Sequence, residues 1–148
     1  MIHAVTSITA AVLYLAAALY QGLYLFNQKN RPIRGLFLTL GAIAAIAHGV
    51  SAIGLIYTIH GIDLDIFRML SLIFWFISLI GVLNGLRRPL DTALALLFPL
   101  SAASIIISFI RGPETHFQYL STGVFTHIIL SILAYSVLAL CALQALVL

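Results

Sequence analysis

Charge is what this chain has least of. Seven Lys/Arg and four Asp/Glu make up 7% of its 148 residues, against about 25% in a soluble domain. An ordinary soluble fold is therefore excluded. One cysteine, Cys141, excludes an internal disulfide, and without a CxxC pair there is no thiol redox centre. No acid lies inside any long apolar run, which counts against a proton-coupled pump. There is no HExxH, no Gly-rich phosphate loop, no nucleophile elbow and no ordered Ser-His-Asp set. Nor is there a basic face with interleaved aromatics, so nucleic acid is not an expected partner.

What is present is hydrophobic sequence: 63% of residues are apolar, and the mean hydropathy is +1.17. The charges fall in four clusters: Lys29, Arg31 and Arg34; Asp63, Asp65 and Arg68; Arg87, Arg88 and Asp91; Arg111 and Glu114. The runs between them are long enough to cross a bilayer, for which about 20 helical residues suffice. The pattern predicts an all-α polytopic membrane bundle forming a single domain over residues 1–148. Its spans are expected at about 3–26, 35–59, 69–86, 92–110 and 121–145. Loops one and three hold five of the seven basic residues, so the positive-inside bias places the N-terminus outside and the C-terminus inside. The sequence pI of about 9.4 reflects this topology. No basic residue precedes Lys29, so the first run is expected to be an anchor and not a cleavable leader. The last run continues to Leu148 without a basic stop, and truncation at the C-terminus is expected.

Small and hydroxyl residues line one face of several spans, as close helix packing in lipid requires. Ala44, Ala45, His48, Ser51 and Ala52 share a face, as do Ser71, Ser78, Gly81 and Gly85. Ser101, Ser104 and Ser108 follow a possible kink at Pro99, and Gly123, His127, Ser131 and Ala134 form the last stripe. Trp75, with Phe74 and Phe76, and the tyrosines Tyr14, Tyr20 and Tyr24 are expected to serve packing or the membrane interface.

The candidate site residues are His48 and His127. An ionisable side chain deep in an apolar span normally faces a protein interior and holds something. A neutral imidazole is both a metal ligand and a haem-iron ligand. The helix rise puts His127 about 9 Å inside the outer face and separates the two in depth by about 7 Å. His60 and His116, with His3, share the outer side with His127 and are weaker candidates for haem capture there. Asp63 and Asp65, two apart in a loop, could bind a cation, but a solvated loop is the better expectation.

With these residues in view, the chain resembles the front half of the cytochrome c assembly family, the haem-handling superfamily of the system II synthases. It is most similar to the short bacterial inner-membrane branch called YpjD-like. The resemblance is carried by His48, by Tyr57 through Gly61, by the run Phe67-Arg68-Met69-Leu70-Ser71-Leu72-Ile73-Phe74-Trp75 and by Leu97-Phe98-Pro99-Leu100-Ser101. It is carried above all by Thr126-His127-Ile128-Ile129-Leu130-Ser131-Ile132-Leu133-Ala134-Tyr135-Ser136. It implies that His48 belongs to a pair holding haem within the bilayer and His127 to a pair presenting haem outside. In the family the partner histidines lie further along the chain. The synthases' tryptophan-rich outer segment has no counterpart, Trp75 being the only tryptophan, so haem handling is implied and not complete synthesis. The expected setting is a bacterial inner membrane, with the lipid bilayer, haem and other membrane subunits as partners. The other reading is an accessory subunit of a transporter or ion-homeostasis system, with structural histidines.

Overall fold

A computed structural model of the chain describes residues 2–26, 33–58, 61–63, 65–110, 117–118 and 121–147. Five helices, each long and apolar enough to cross a membrane, make up nearly all of it. They are α1 (Ile2–Phe26), α2 (Arg34–Ile56), α3 (Ile66–Gly85), α4 (Asp91–Ile110) and α5 (Thr122–Val147). Three short strands lie between them: β1 (Tyr57–Thr58), β2 (Gly61–Asp63) and β3 (Phe117–Gln118).

The first four helices close a ring in which each packs on its chain neighbours and α4 returns to α1. The short connections make neighbours antiparallel. On α1, Ser7, Ala10, Tyr14, Ala17 and Gln21 recur at helical spacing and are all buried. The alanines let α2 and α4 come close on either side. Between the helices lie Tyr14, Phe37 and Phe98, none with exposed surface. Phe98 stacks at 5.2 Å from Tyr14 and 5.3 Å from Phe37 between ring centroids. Gly41 makes room for it: a Cβ there would sit 2.5 Å from the Phe98 ring. Pro99 lies inside α4, which continues through it, so the Ala95 carbonyl loses its usual amide donor.

The small-residue faces of α2, α3 and α4 are buried as their spacing predicts. The face expected on α5 is not. Gly123, His127 and Ala134 are exposed, Ser131 is half-buried, and Ile132 and Ser136 are the buried residues. α5 lies outside the ring and leans chiefly on α3. The stripe it uses is apolar, Phe125, Ile128, Ile129 and Ile132, about 150° round from the small-residue one. A stripe of small residues permits close packing, but the larger apolar surface on the far side of the helix wins the contact.

Two helix ends also differ from expectation. α2 stops at Ile56 and not at 59, and α3 starts at Ile66 and not at 69. The cause is a small antiparallel sheet, in the order β1-β2-β3, at one end of the bundle. Tyr57 pairs with Ile62 and Thr58 with Gly61, while Ile62 and Asp63 pair with Gln118 and Phe117. Gly61 has φ 121°, a value that L side chains rarely adopt.

Asp63 and Asp65 do not form a solvated loop. Asp63 has no exposed surface and is ion-paired with Arg68, which is itself 7% exposed. Its other oxygen accepts from the Asp65 amide at 2.9 Å, and Arg68 also donates to the Leu55 carbonyl at 2.9 Å. Asp65 caps α3, accepting from the amides of Phe67 and Arg68. Both carboxylates are thus committed to joining the sheet to α2 and α3. At the opposite, basic end, Arg34 at the start of α2 donates to the carbonyls of Gly85 and Arg88 and meets Asp91 at 3.2 Å. There Tyr20 also accepts from the Ile33 amide at 3.1 Å. The side chain of Tyr24 lies outside the described residues.

Candidate functional site

The two candidate histidines are in opposite environments. His48 is on the inner face of α2 with no exposed surface. Its Nε2 lies 3.0 Å from Ser71 Oγ on α3, and its ring meets Tyr14 edge-on at 5.8 Å and 84°. Among the described residues its buried Nδ1 has no hydrogen-bond partner, while the Tyr14 hydroxyl interacts with Ser78. Around them the ring interior carries further hydroxyls in pairs. Ser7 bonds Ser51 one helical turn beyond His48, and Ser78 bonds Ser101 at 2.7 Å. Ser101 gives its proton to the Leu97 carbonyl at 3.1 Å, so Ser78 is the donor of that pair. Ser104 and Ser108 return to carbonyls of their own helix at 2.8 Å and 3.0 Å. Polar groups away from water must find partners within the protein, and these do so largely by pairing across helix contacts.

His127 stands on the exposed side of α5, five residues from its start at the sheet end. It has no hydrogen-bond partner among the described residues. α5 is also one wall of a cleft of about 320 Å³ between α2, α3 and the sheet. The lining is almost wholly apolar and rich in rings: Tyr57, Trp75, Phe76 and Phe125, with Met69 beneath. Trp75 is fixed by donating its indole N–H to the Ala45 carbonyl at 2.8 Å. It lies over Gly49, where a Cβ would come within 2.7 Å of the indole. Phe76 packs on Trp75 at 4.7 Å, and Phe125 meets Tyr57 at 6.1 Å.

The structure does not bring His48 and His127 together. One is inside the four-helix ring; the other is on the outer side of the helix added to it. His3 is exposed, with its imidazole against Gly54. His60 and His116 lie outside the described residues. Among those described, no three His, Cys, Asp or Glu side chains form a metal-sized group.

Three contributors escaped the sequence reading: Tyr14 as the aromatic neighbour of His48, Trp75 and Phe125 as cleft walls, and the Asp63–Arg68 pair. Tyr14 could have been found, because it continues the helical stripe of Ser7 and Ala10. The cleft could not, because its walls come from three helices whose arrangement no local pattern encodes.

Residues that would hold an iron porphyrin must leave it a slot. His48 does not fit that requirement in this arrangement: its Nε2 is engaged, its ring is covered, and it lines neither the aromatic cleft nor the two others found among the described residues, one at the basic end between α3, α4 and α5 and one between α2 and Trp75. His127 lines none of these clefts either, but it is exposed, has no hydrogen-bond partner among the described residues and adjoins in the chain Ile128, a wall of the aromatic cleft, so it alone of the two histidines has an uncovered imidazole. Comparison with family models, curated proteins and solved structures finds no match to this chain.

Proposed function

We propose that this chain is a cytochrome c assembly-like protein of a bacterial inner membrane that handles haem at its sheet end. In this reading His127 is the axial ligand and His48 a structural imidazole. The observation that supports it is an exposed His127, without a hydrogen-bond partner among the described residues, on a helix that is apolar enough to cross a membrane and that walls an aromatic cleft. An imidazole placed against hydrocarbon without a partner is costly, and iron coordination would supply the partner. Haem, when bound, would supply the iron whose axial position an imidazole nitrogen occupies. The chain's own part is to offer that nitrogen and an apolar, ring-lined wall. The sheet end then faces outward and the arginine-bearing end inward, in accord with the positive-inside bias.

The test is absorption spectroscopy of the purified protein during haem titration. A Soret band that is lost in His127→Ala and kept in His48→Gln supports the proposal. A parent that stays colourless, or a band unaffected by His127→Ala, overturns it.

The alternative is an accessory subunit in a transport or ion-homeostasis complex, and one observation favours it. Gly123 and Ala134, on either side of His127, leave an exposed face with small residues on α5, the kind of surface another membrane helix packs on. Under that reading the protein purifies colourless and retains a partner in mild detergent.

A further inference from the structure

A second cleft, of about 450 Å³, opens at the basic end between α3, α4 and α5. That volume is in the range of small-molecule sites. Its walls change character along their length. α3 and α5 both run from the sheet end towards the basic end, so their residues can be read in parallel. The deeper part is lined by Ile80 from α3 and by Val137 and Leu140 from α5. One to two turns further along, the lining becomes Asn84, Arg88 and Gln144. The cleft is therefore apolar at depth and polar at its mouth.

The polar groups at the mouth are not consumed by one another. Arg34 is the arginine that satisfies the backbone of this end and meets Asp91. The guanidinium of Arg88 is exposed and has no acidic partner among the described residues, and the same holds for Arg87. With three arginines against one aspartate, the described part of this end carries a surplus of two positive charges. Asn84 is exposed and gives an N–H to the Ile80 carbonyl at 2.9 Å, which leaves its oxygen as an acceptor without a donor among the described residues. The Gln144 oxygen is buried at the wall and has no donor among the described residues. A guanidinium at a mouth that also carries the exposed Asn84 amide acceptor suits a phosphate whose substituent carries hydrogen-bond donors.

We propose that this cleft binds one anionic glycerophospholipid of the phosphatidylglycerol type. Its phosphate meets Arg88, its headgroup hydroxyls meet Asn84, and part of an acyl chain lies along Ile80, Val137 and Leu140. Basic pockets between helices at a membrane surface bind such headgroups, and here the surplus charge selects an anion over a zwitterion. The site is independent of the haem proposal, since it shares no residue with the aromatic cleft.

Native mass spectrometry of the detergent-purified protein tests it, with phosphatidylglycerol and phosphatidylcholine of identical acyl chains as probes. One phosphatidylglycerol should be retained at about tenfold lower lipid concentration than phosphatidylcholine, as loss of a charge-assisted contact implies. Arg88→Gln should bring the two lipids to parity, and Ala145→Phe, which fills the cleft from its rim, should abolish retention of the single lipid. Inorganic phosphate in excess should not displace it, because the acyl contact is part of the site. Equal retention of both lipids by the parent shows annular lipid only and overturns the proposal. So does phosphatidylglycerol binding that survives both substitutions, or displacement by phosphate alone. Arg88 and Ala145 are exposed, and unchanged melting of both variants in phosphatidylcholine confirms that a loss reports on the site.

Discussion

His48 Nε2 and Ser71 Oγ lie 3.0 Å apart across the α2–α3 contact, with no water-accessible surface on the imidazole. This bond joins two neighbouring helices of the ring at a point where neither group has another side-chain hydrogen-bond partner among the described residues.

Ser71→Ala should therefore cost about 1–3 kcal/mol, the penalty of leaving a buried polar group unpaired. His48→Gln, which retains a donor and an acceptor, should cost less than His48→Ala. Thermal unfolding in detergent checks this, and a Ser71→Ala protein as stable as the parent would show that the bond contributes nothing.

His127→Ala, by contrast, should leave stability within about 0.5 kcal/mol, as expected of an exposed position without partners. Measured beside the haem titration, this separates a ligand from a structural residue. A large loss of stability would mean that His127 supports the fold and would undermine its proposed role.

Breaking the Asp63–Arg68 pair should be far more damaging. Removing one member of a buried pair leaves the other charged and unpartnered, at a cost of about 3–5 kcal/mol. Asp63→Asn and Arg68→Gln should each loosen the sheet end, seen as faster amide exchange at Ile62 and Asp63. A double variant no worse than either single one would identify the cost as that of the orphaned charge. Fully additive losses would contradict the pairing.

Gly49→Ala places a methyl group within 2.7 Å of the Trp75 indole. Overpacking of this kind costs about 1–3 kcal/mol, and it should tilt the only tryptophan away from the Ala45 carbonyl. A shift of the tryptophan emission maximum reads this directly; unchanged emission and melting would mean that the indole is less fixed than its hydrogen bond indicates.

The five helices were legible in the sequence because each is an uninterrupted apolar run between charge clusters, and that signal is local. His48 was legible as an interior residue for the same reason, since Ala44, Ala45, Ser51 and Ala52 mark its face. The environment of His127 was not, because Gly123, Ser131 and Ala134 mark a face just as well. Which stripe of α5 turns inward depends on the shape of α3, not on α5 alone. The Asp63–Arg68 pair escaped because three charges in a short connection read as solvated until the hairpin folds them under. Gly61 was the one local cue to that hairpin, and its spacing from Tyr57 could have announced the turn.

The ring of α1 to α4 closes on itself, and α5 only leans against it. This gives the chain an order of assembly. Every inter-helix contact within the ring is available once Ile110 has left the ribosome, so four helices can settle before the fifth arrives. α5 then docks on a finished surface and brings the far walls of both clefts with it. The ring supplies persistence and the last helix supplies the places where something can be held, so a change in how α5 sits would alter both clefts while leaving the interior around His48 untouched.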